Sequence, residues 1–152
     1  MSNAQQLAQR ARASAGIDFL RAIRDGELPP APMQELLGFR LVEVDEGRAV
    51  FAATPGEQHY NPIGTVHAGL AATMIDSATG VAVHTTLPPG TGYTTLETKF
   101  NLVRALDAQT GEIRAEGTVV HRGGRVATAE ARVTRTSDGK LVAHGTSTCL
   151  IV

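Results

Sequence analysis

Between Val66 and Leu87 the chain reads VHAGLAATMIDSATGVAVHTTL, and Pro88-Pro89-Gly90 closes the run. Apolar and small residues fill almost every position, which predicts one long helix, and a helix apolar nearly all round is a buried one. Ahead of it, Asn61-Pro62-Ile63-Gly64-Thr65 is turn chemistry, with Thr65 placed to cap the helix. Gly69, Ala71, Ala72, Ala78, Gly80 and Ala82 would let strands or a partner helix approach closely. A single acid interrupts the run, Asp76.

On either side of this helix the pattern is that of strands. Phe39–Asp45 and Arg48–Thr54 read as two strands about a Glu46-Gly47 turn. After Gly92, Leu96, Thr98, Phe100 and Leu102 alternate with Glu97, Lys99 and Asn101. Ile113, Ala115, Gly117 and Val119 likewise alternate with Glu112, Arg114, Glu116 and Thr118. Val126–Arg135 and Leu141–Val152 follow, joined at Asp138-Gly139 and preceded by the turn Arg122-Gly123-Gly124-Arg125. Short links between successive strands mean an antiparallel sheet. Six strands and one apolar helix predict an α+β fold in which the sheet curls around the helix. Residues 1–32 read as a helical extension, its first seventeen residues a solvated, fraying helix, ending in the Pro-rich link Leu28-Pro29-Pro30-Ala31-Pro32, with a short turn at Met33–Leu37 leading into the strands; residues 33–152 form the domain proper.

Composition narrows the function by exclusion. A length of 152 residues is one domain's worth, and 14 basic against 15 acidic groups leave a net charge of −1. That balance excludes the basic surface of a nucleic-acid binder and the acidic excess of a disordered tail. No apolar run reaches the roughly 18 residues of a membrane helix, so a soluble cytoplasmic protein without membrane partners is expected. Aromatic residues are 4% with no Trp, which predicts a core of Ala, Val, Leu, Ile and Thr. Cys149 is the single cysteine, so neither a disulfide framework nor a cysteine metal cage is available, and it reads as core packing. None of the five histidines pairs with another at helical ligand spacing, so no metal site is expected.

What remains is the carboxylate. An ionised Asp76 among Ala72, Thr73, Met74, Ile75, Ala78 and Val81 is expensive to bury unless partnered. Two readings stand: a hydrogen-bonded structural acid on a subunit contact or helix edge, or a nucleophile or general base in a poorly solvated cleft. The helix start is the second feature. Around His67, Ala68 and Gly69 backbone N–H groups lack intrahelical partners and can polarise a carbonyl oxygen. His67 itself reads either as a capping residue or as a base. Asp76 lies nine residues beyond His67, roughly 13 Å along the axis, so one helix cannot bring both features to one small group. A second copy of the chain can, which argues for a homodimer with shared sites. The Arg122–Arg125 turn, with Arg104, reads as a surface phosphate contact or as a solvated hairpin.

The run His59-Tyr60-Asn61-Pro62-Ile63-Gly64-Thr65-Val66-His67-Ala68-Gly69 with Asp76, and further on Thr91–Glu97 and Asn101-Leu102-Val103-Arg104, resembles the hot-dog-fold acyl-CoA thioesterases. The likeness is to the phenylacetic-acid-degradation and 4-hydroxybenzoyl-CoA type and covers roughly residues 33–152. It implies a hot-dog fold, dimers often paired into homotetramers, and an acyl-CoA substrate with no cofactor or metal. By position it makes Asp76 the catalytic carboxylate and Asn61 the residue that places substrate or water. It puts His67 and Ala68 at the helix start, with the Ala68 N–H polarising the thioester carbonyl, and Thr95 where a hydroxyl orients water. Gly69, Arg104, Arg122 and Arg125 are the candidate coenzyme A contacts, and Met33, Leu36 and Leu37 the candidate acyl-pocket lining. One position departs: the family's His-Gly-Gly is here His67-Ala68-Gly69, which keeps the N–H and adds a methyl. Two other activities suit such a fold. An acyl hydratase or dehydratase would want a His and an acid at one site, and an acyl-CoA-binding module would need no lone Asp in its helix.

Overall fold

The computed structural model describes residues 3–152; Met1 and Ser2, the start of the expected extension, lie outside the described residues. Three short helices, α1 (Asn3–Ala13), α2 (Gly16–Arg24) and α3 (Pro32–Leu37), precede strands β1 (Phe39–Asp45) and β2 (Arg48–Ala53). A 3-10 turn at Glu57–His59 leads to the long helix α4 (Ala68–His84). Strands β3 (Tyr93–Leu102), β4 (Ile113–Arg122), β5 (Val126–Arg135) and β6 (Leu141–Ile151) complete the chain. All six strands form one antiparallel sheet in the order β1-β2-β4-β5-β6-β3. This is the expected α+β hot-dog architecture, with α4 packed against β2, β3, β4, β5 and β6.

Small residues make that embrace close. A Cβ on Gly117 of β4 would overlap the Ala78 carbonyl oxygen of α4, so glycine is required where helix backbone and strand backbone meet. Ala71, Met74, Ile75, Ala78, Ala82 and Val83 of α4 are buried against the sheet. The core also corrects the aliphatic expectation: Phe19, Phe39 and Phe51 are all buried in it, and the Phe39 and Phe51 rings lie 5.5 Å apart. Few aromatics are present, yet those few are placed centrally, where their large apolar area contributes most.

Three sequence expectations change at the element ends. The helix starts at Ala68 instead of Val66, and His67 instead of Thr65 caps it, because the Thr65 hydroxyl is already taken by the Asn61 side-chain amide at 2.9 Å. Leu96 does not continue the inward face of β3 but is 60% exposed, because a bulge between Thr95 and Glu97 shifts the alternation. The solvated N-terminal helix is likewise corrected. Phe19 and Leu20 of α2 enter the main core, and Leu7 and Ala11 of α1 pack against it. Gly16 N–H donates to the Leu87 carbonyl at 3.0 Å, where a Cβ on Gly16 would overlap the His84 carbonyl oxygen.

No helix among the described residues is long and apolar enough to cross a membrane.

Candidate active site

The turn before α4 is built around Asn61. Its Oδ1 accepts from the Ile63 N–H at 3.1 Å and the Thr65 N–H at 3.2 Å, while Nδ2 donates to the Thr65 hydroxyl. Backbone bonds between Asn61 and Thr65 and between Gly64 and Asn61 close the turn, and Gly64 takes the positive φ of +81° that it requires. Three of the four hydrogen-bonding positions of this amide are thus spent on the loop, leaving one N–H.

His67 then turns the chain into the helix. Its Nδ1 accepts the Gly69 N–H at 2.8 Å, so that nitrogen carries no proton and is occupied as a cap. Gly69 has to be glycine for this: a Cβ there would stand 2.8 Å from Nδ1. Ala68, the first helical residue, meets no such demand, since no non-glycine residue among those described has a positive φ. The departure from His-Gly-Gly therefore falls on the position that tolerates a methyl. With Gly69 capped, the Ala68 N–H is left without a partner among the described residues. A cleft of about 360 Å³ opens here, lined by Leu37, His59, Tyr60, His67, Gly69 and Thr73 among others. Met33 and Leu36, expected to line an acyl pocket, are 51% and 79% exposed in the single chain, and Leu37 faces the cleft. His59 is engaged at both nitrogens, with the Gly56 N–H and the Leu37 carbonyl, and serves the wall.

Asp76 lies two turns further along α4, roughly 12 Å from Ala68. The expectation of a helix buried all round is corrected here. A stripe through Ala68, Ala72, Thr73, Asp76, Ser77, Val81 and His84 is left uncovered or half-covered, and the Asp76 side chain is exposed in the single chain. Its Oδ1 accepts from the Thr98 hydroxyl at 3.3 Å. Thr98 is 3.0 Å from the Ser147 hydroxyl, which accepts from buried Thr79 at 2.8 Å. A chain of three hydroxyls thus runs from the core to one carboxylate oxygen. Sequence reasoning misses Thr98 and Ser147, since a hydroxyl residue in an alternating strand carries no signal of its own. Thr95 faces Cys149 across the β3–β6 pair, and its hydroxyl opposes the upward push that burial gives the Cys149 thiol.

The four candidate coenzyme A contacts separate into two groups. Gly69 lies at the helix start, and Arg104 follows β3 at the sheet end where Leu102 opposes Ala143 and donates to the Leu141 carbonyl. Arg122 and Arg125 flank the β4–β5 turn at the other end, where Val126 opposes Leu150. The two ends are roughly 25 Å apart along β6. Among the described residues no group of His, Cys, Asp and Glu is arranged to hold a metal ion.

A lone carboxylate with a fixed second oxygen can attack a carbonyl or draw a proton from water, and an open helix-start N–H can polarise that carbonyl. Residues 63–142 match the model of the Thioesterase superfamily. Acyl-coenzyme A thioesterase 13 of Homo sapiens is 30% identical over 109 residues, covering 71% of this chain and 76% of that protein. The mouse protein of the same name is 33% identical over 93 residues, and there the match spans 64% of its length. Among solved structures, a phenylacetic acid degradation-related protein of Ralstonia eutropha JMP134 is 28% identical, with a TM-score of 0.76 over 86% of this chain and 98% of that one. A mutant of the phenylacetic acid degradation protein PaaI of Thermus thermophilus is 30% identical, with a TM-score of 0.71 over 79% and 98% of the two chains. With the helix, its carboxylate and the sheet that holds them, the chain belongs to the Thioesterase superfamily and is a thioester hydrolase.

Proposed function

We propose that the protein hydrolyses acyl-CoA thioesters in sites shared by two copies of the chain, with Asp76 as nucleophile or general base. The observation that carries this reading is the separation on α4: the open N–H at Ala68 and the carboxylate of Asp76 lie on one uncovered stripe, roughly 12 Å apart. A thioester carbonyl is far smaller than that gap. The start of one helix therefore serves the Asp76 of another. β3 supports the pairing, being a sheet edge with β6 as its one neighbour and carrying exposed Leu96 and Leu102, with Val103 just beyond. A twofold that sets β3 against its copy closes this edge and leaves two equivalent sites. It also brings opposite sheet ends of the two chains together, so Arg104 of one copy and Arg122 and Arg125 of the other remain the phosphate contacts we assign.

In each site the acyl carbonyl accepts the Ala68 N–H, aided by the helix dipole. Asp76 either adds to the carbonyl carbon or removes a proton from a water that adds. Collapse of the tetrahedral intermediate breaks the C–S bond and expels the coenzyme A thiolate. In the first route, water then hydrolyses the acyl–Asp76 anhydride. Both routes end in the free acid and the thiol, and neither calls on a cofactor. His67, which a shared site brings toward the other copy's Asp76, spends Nδ1 on the Gly69 N–H, so its ring offers a donor there instead of the base that a hydratase would use.

The test is thiol release from a panel of short, medium and aryl acyl-CoAs. Turnover of at least one class is expected, and tight binding without thiol release would make the protein a binding module instead. Thr98→Val removes the hydroxyl at Asp76 Oδ1 and is expected to lower kcat/KM by about fivefold to tenfold, one hydrogen bond's worth. An unchanged rate would mean that Asp76 holds its position without it.

A further inference from the structure

A second cavity lies away from the helix start. It has a volume of about 610 Å³ and sits between α1, the last turn of α4 and the start of β3, lined by Ala8, Ala11, Arg12, His84, Tyr93 and Val152 among others. Its walls are tied together: the Gly90 N–H donates to the Arg12 carbonyl at 2.9 Å, and Gly92 and Val152 exchange two backbone hydrogen bonds. Arg12 is therefore fixed at the rim by its backbone. Its guanidinium has no carboxylate or other hydrogen-bond partner among the described residues, and no acidic side chain lines the cavity.

The polar groups inside are donors. His84 is held between the rings of Phe19 and Tyr93, at centroid distances of 5.7 and 5.6 Å, and burial pushes its pKa down so that it stays neutral. Burial also pushes the Tyr93 phenol well above its usual range, so its O–H persists as a donor. Neither side chain has a hydrogen-bond partner among the described residues. Tyr93 lies flat on α4 because Gly80 offers no side chain; a Cβ there would come within 2.6 Å of its oxygen.

The cavity lies on the face of α4 that carries Asp76, with the Tyr93 ring over Gly80 between them. Asp76, Gly80 and His84 are spaced four residues apart on one face of α4, so His84 stands roughly 12 Å beyond the carboxylate. Resting on the reading of Asp76 as the reacting group, we propose that this cavity receives the far end of the acyl group, and that Arg12, Tyr93 and His84 select a medium-length acyl chain ending in a carboxylate. The chain's methylenes run past the Tyr93 ring, which covers Gly80, and along Ala8 and Ala11, and the terminal carboxylate pairs with the Arg12 fork and the Tyr93 O–H. The N-terminal helix is then a specificity element, since it supplies the cation.

The experiment compares octanoyl-CoA with octanedioyl-CoA, which differ in the terminal carboxylate alone. The wild-type protein is expected to favour octanedioyl-CoA in kcat/KM by about tenfold or more, the value of one charge-assisted hydrogen-bonded pair. Arg12→Ala should bring the ratio to about one or below and Arg12→Glu should invert it, while Tyr93→Phe should lower it severalfold. Calorimetric binding of free octanedioate against octanoate reads the cavity without turnover. If neither thioester is cleaved but octanedioate still binds more tightly in an Arg12-dependent way, the hydrolase reading fails and the cavity assignment stands. A wild-type ratio at or below one, or a preference that survives Arg12→Ala, overturns the assignment.

Discussion

Asp76→Asn is expected to lower kcat/KM for the best acyl-CoA by about a thousandfold or more, with the fold intact. The substitution keeps the size of the side chain and its acceptor toward Thr98, and removes the one carboxylate on the open face of α4. General-base help is worth about 10²–10⁴ in rate, and loss of a nucleophile at least as much. Stability should hardly change, because the Asp76 side chain is exposed in the single chain and forms no ion pair among the described residues. Thermal denaturation measured beside thiol release separates the two effects. A variant within tenfold of wild type would remove Asp76 from the chemistry whatever the protein hydrolyses. Single turnover in ¹⁸O-labelled water identifies the nucleophile route when label enters the Asp76 carboxylate, as it does if water opens the anhydride at the Asp76 carbonyl; the base route and opening at the acyl carbonyl both send the label to the free acid.

The fold was legible because its patterns are local. The apolar run of α4, broken by the single acid Asp76, the alternation of β4 and the Asp138-Gly139 turn each state their element through neighbouring residues alone. The misreadings share a cause, which is competition among neighbours. Thr65 is a good cap by type, but Asn61 holds its hydroxyl, and His67 is left to accept the Gly69 N–H. Leu96 alternates correctly in sequence, yet one bulged residue turns it outward. The isolation of Asp76 in an apolar helix singles it out in the sequence, whereas its setting could not be read. Thr98, Ser147 and Thr79 come from three elements, and their hydroxyl chain exists only once β3 and β6 lie side by side against α4. The N-terminal extension hid its role similarly: that Arg12 reaches the cavity at His84 depends on the Gly16 contact with the end of α4 and on the Gly90–Arg12 bond.

Mixing two inactive chains should restore activity. Asp76→Ala lacks the carboxylate, and Asn61→Ala lacks the amide that organises the turn ahead of α4, so each homodimer is expected to be nearly inactive. In a mixed dimer one site receives both substitutions and the other receives neither, because the intact Asp76 comes from the Asn61→Ala chain and the intact turn from the Asp76→Ala chain. With random exchange of equal amounts, half the dimers are mixed and each carries one good site, so about a quarter of wild-type activity should return. Heterodimers isolated through two different affinity tags should reach about half. Both values lie far above the sum of the two variants assayed apart, so subunit exchange by mild denaturation and refolding gives a decisive readout. If mixing yields no more than that sum while a mass measurement shows heterodimers present, both halves of the site lie within one chain, and the roughly 12 Å of helix between Ala68 and Asp76 must be bridged by the substrate itself.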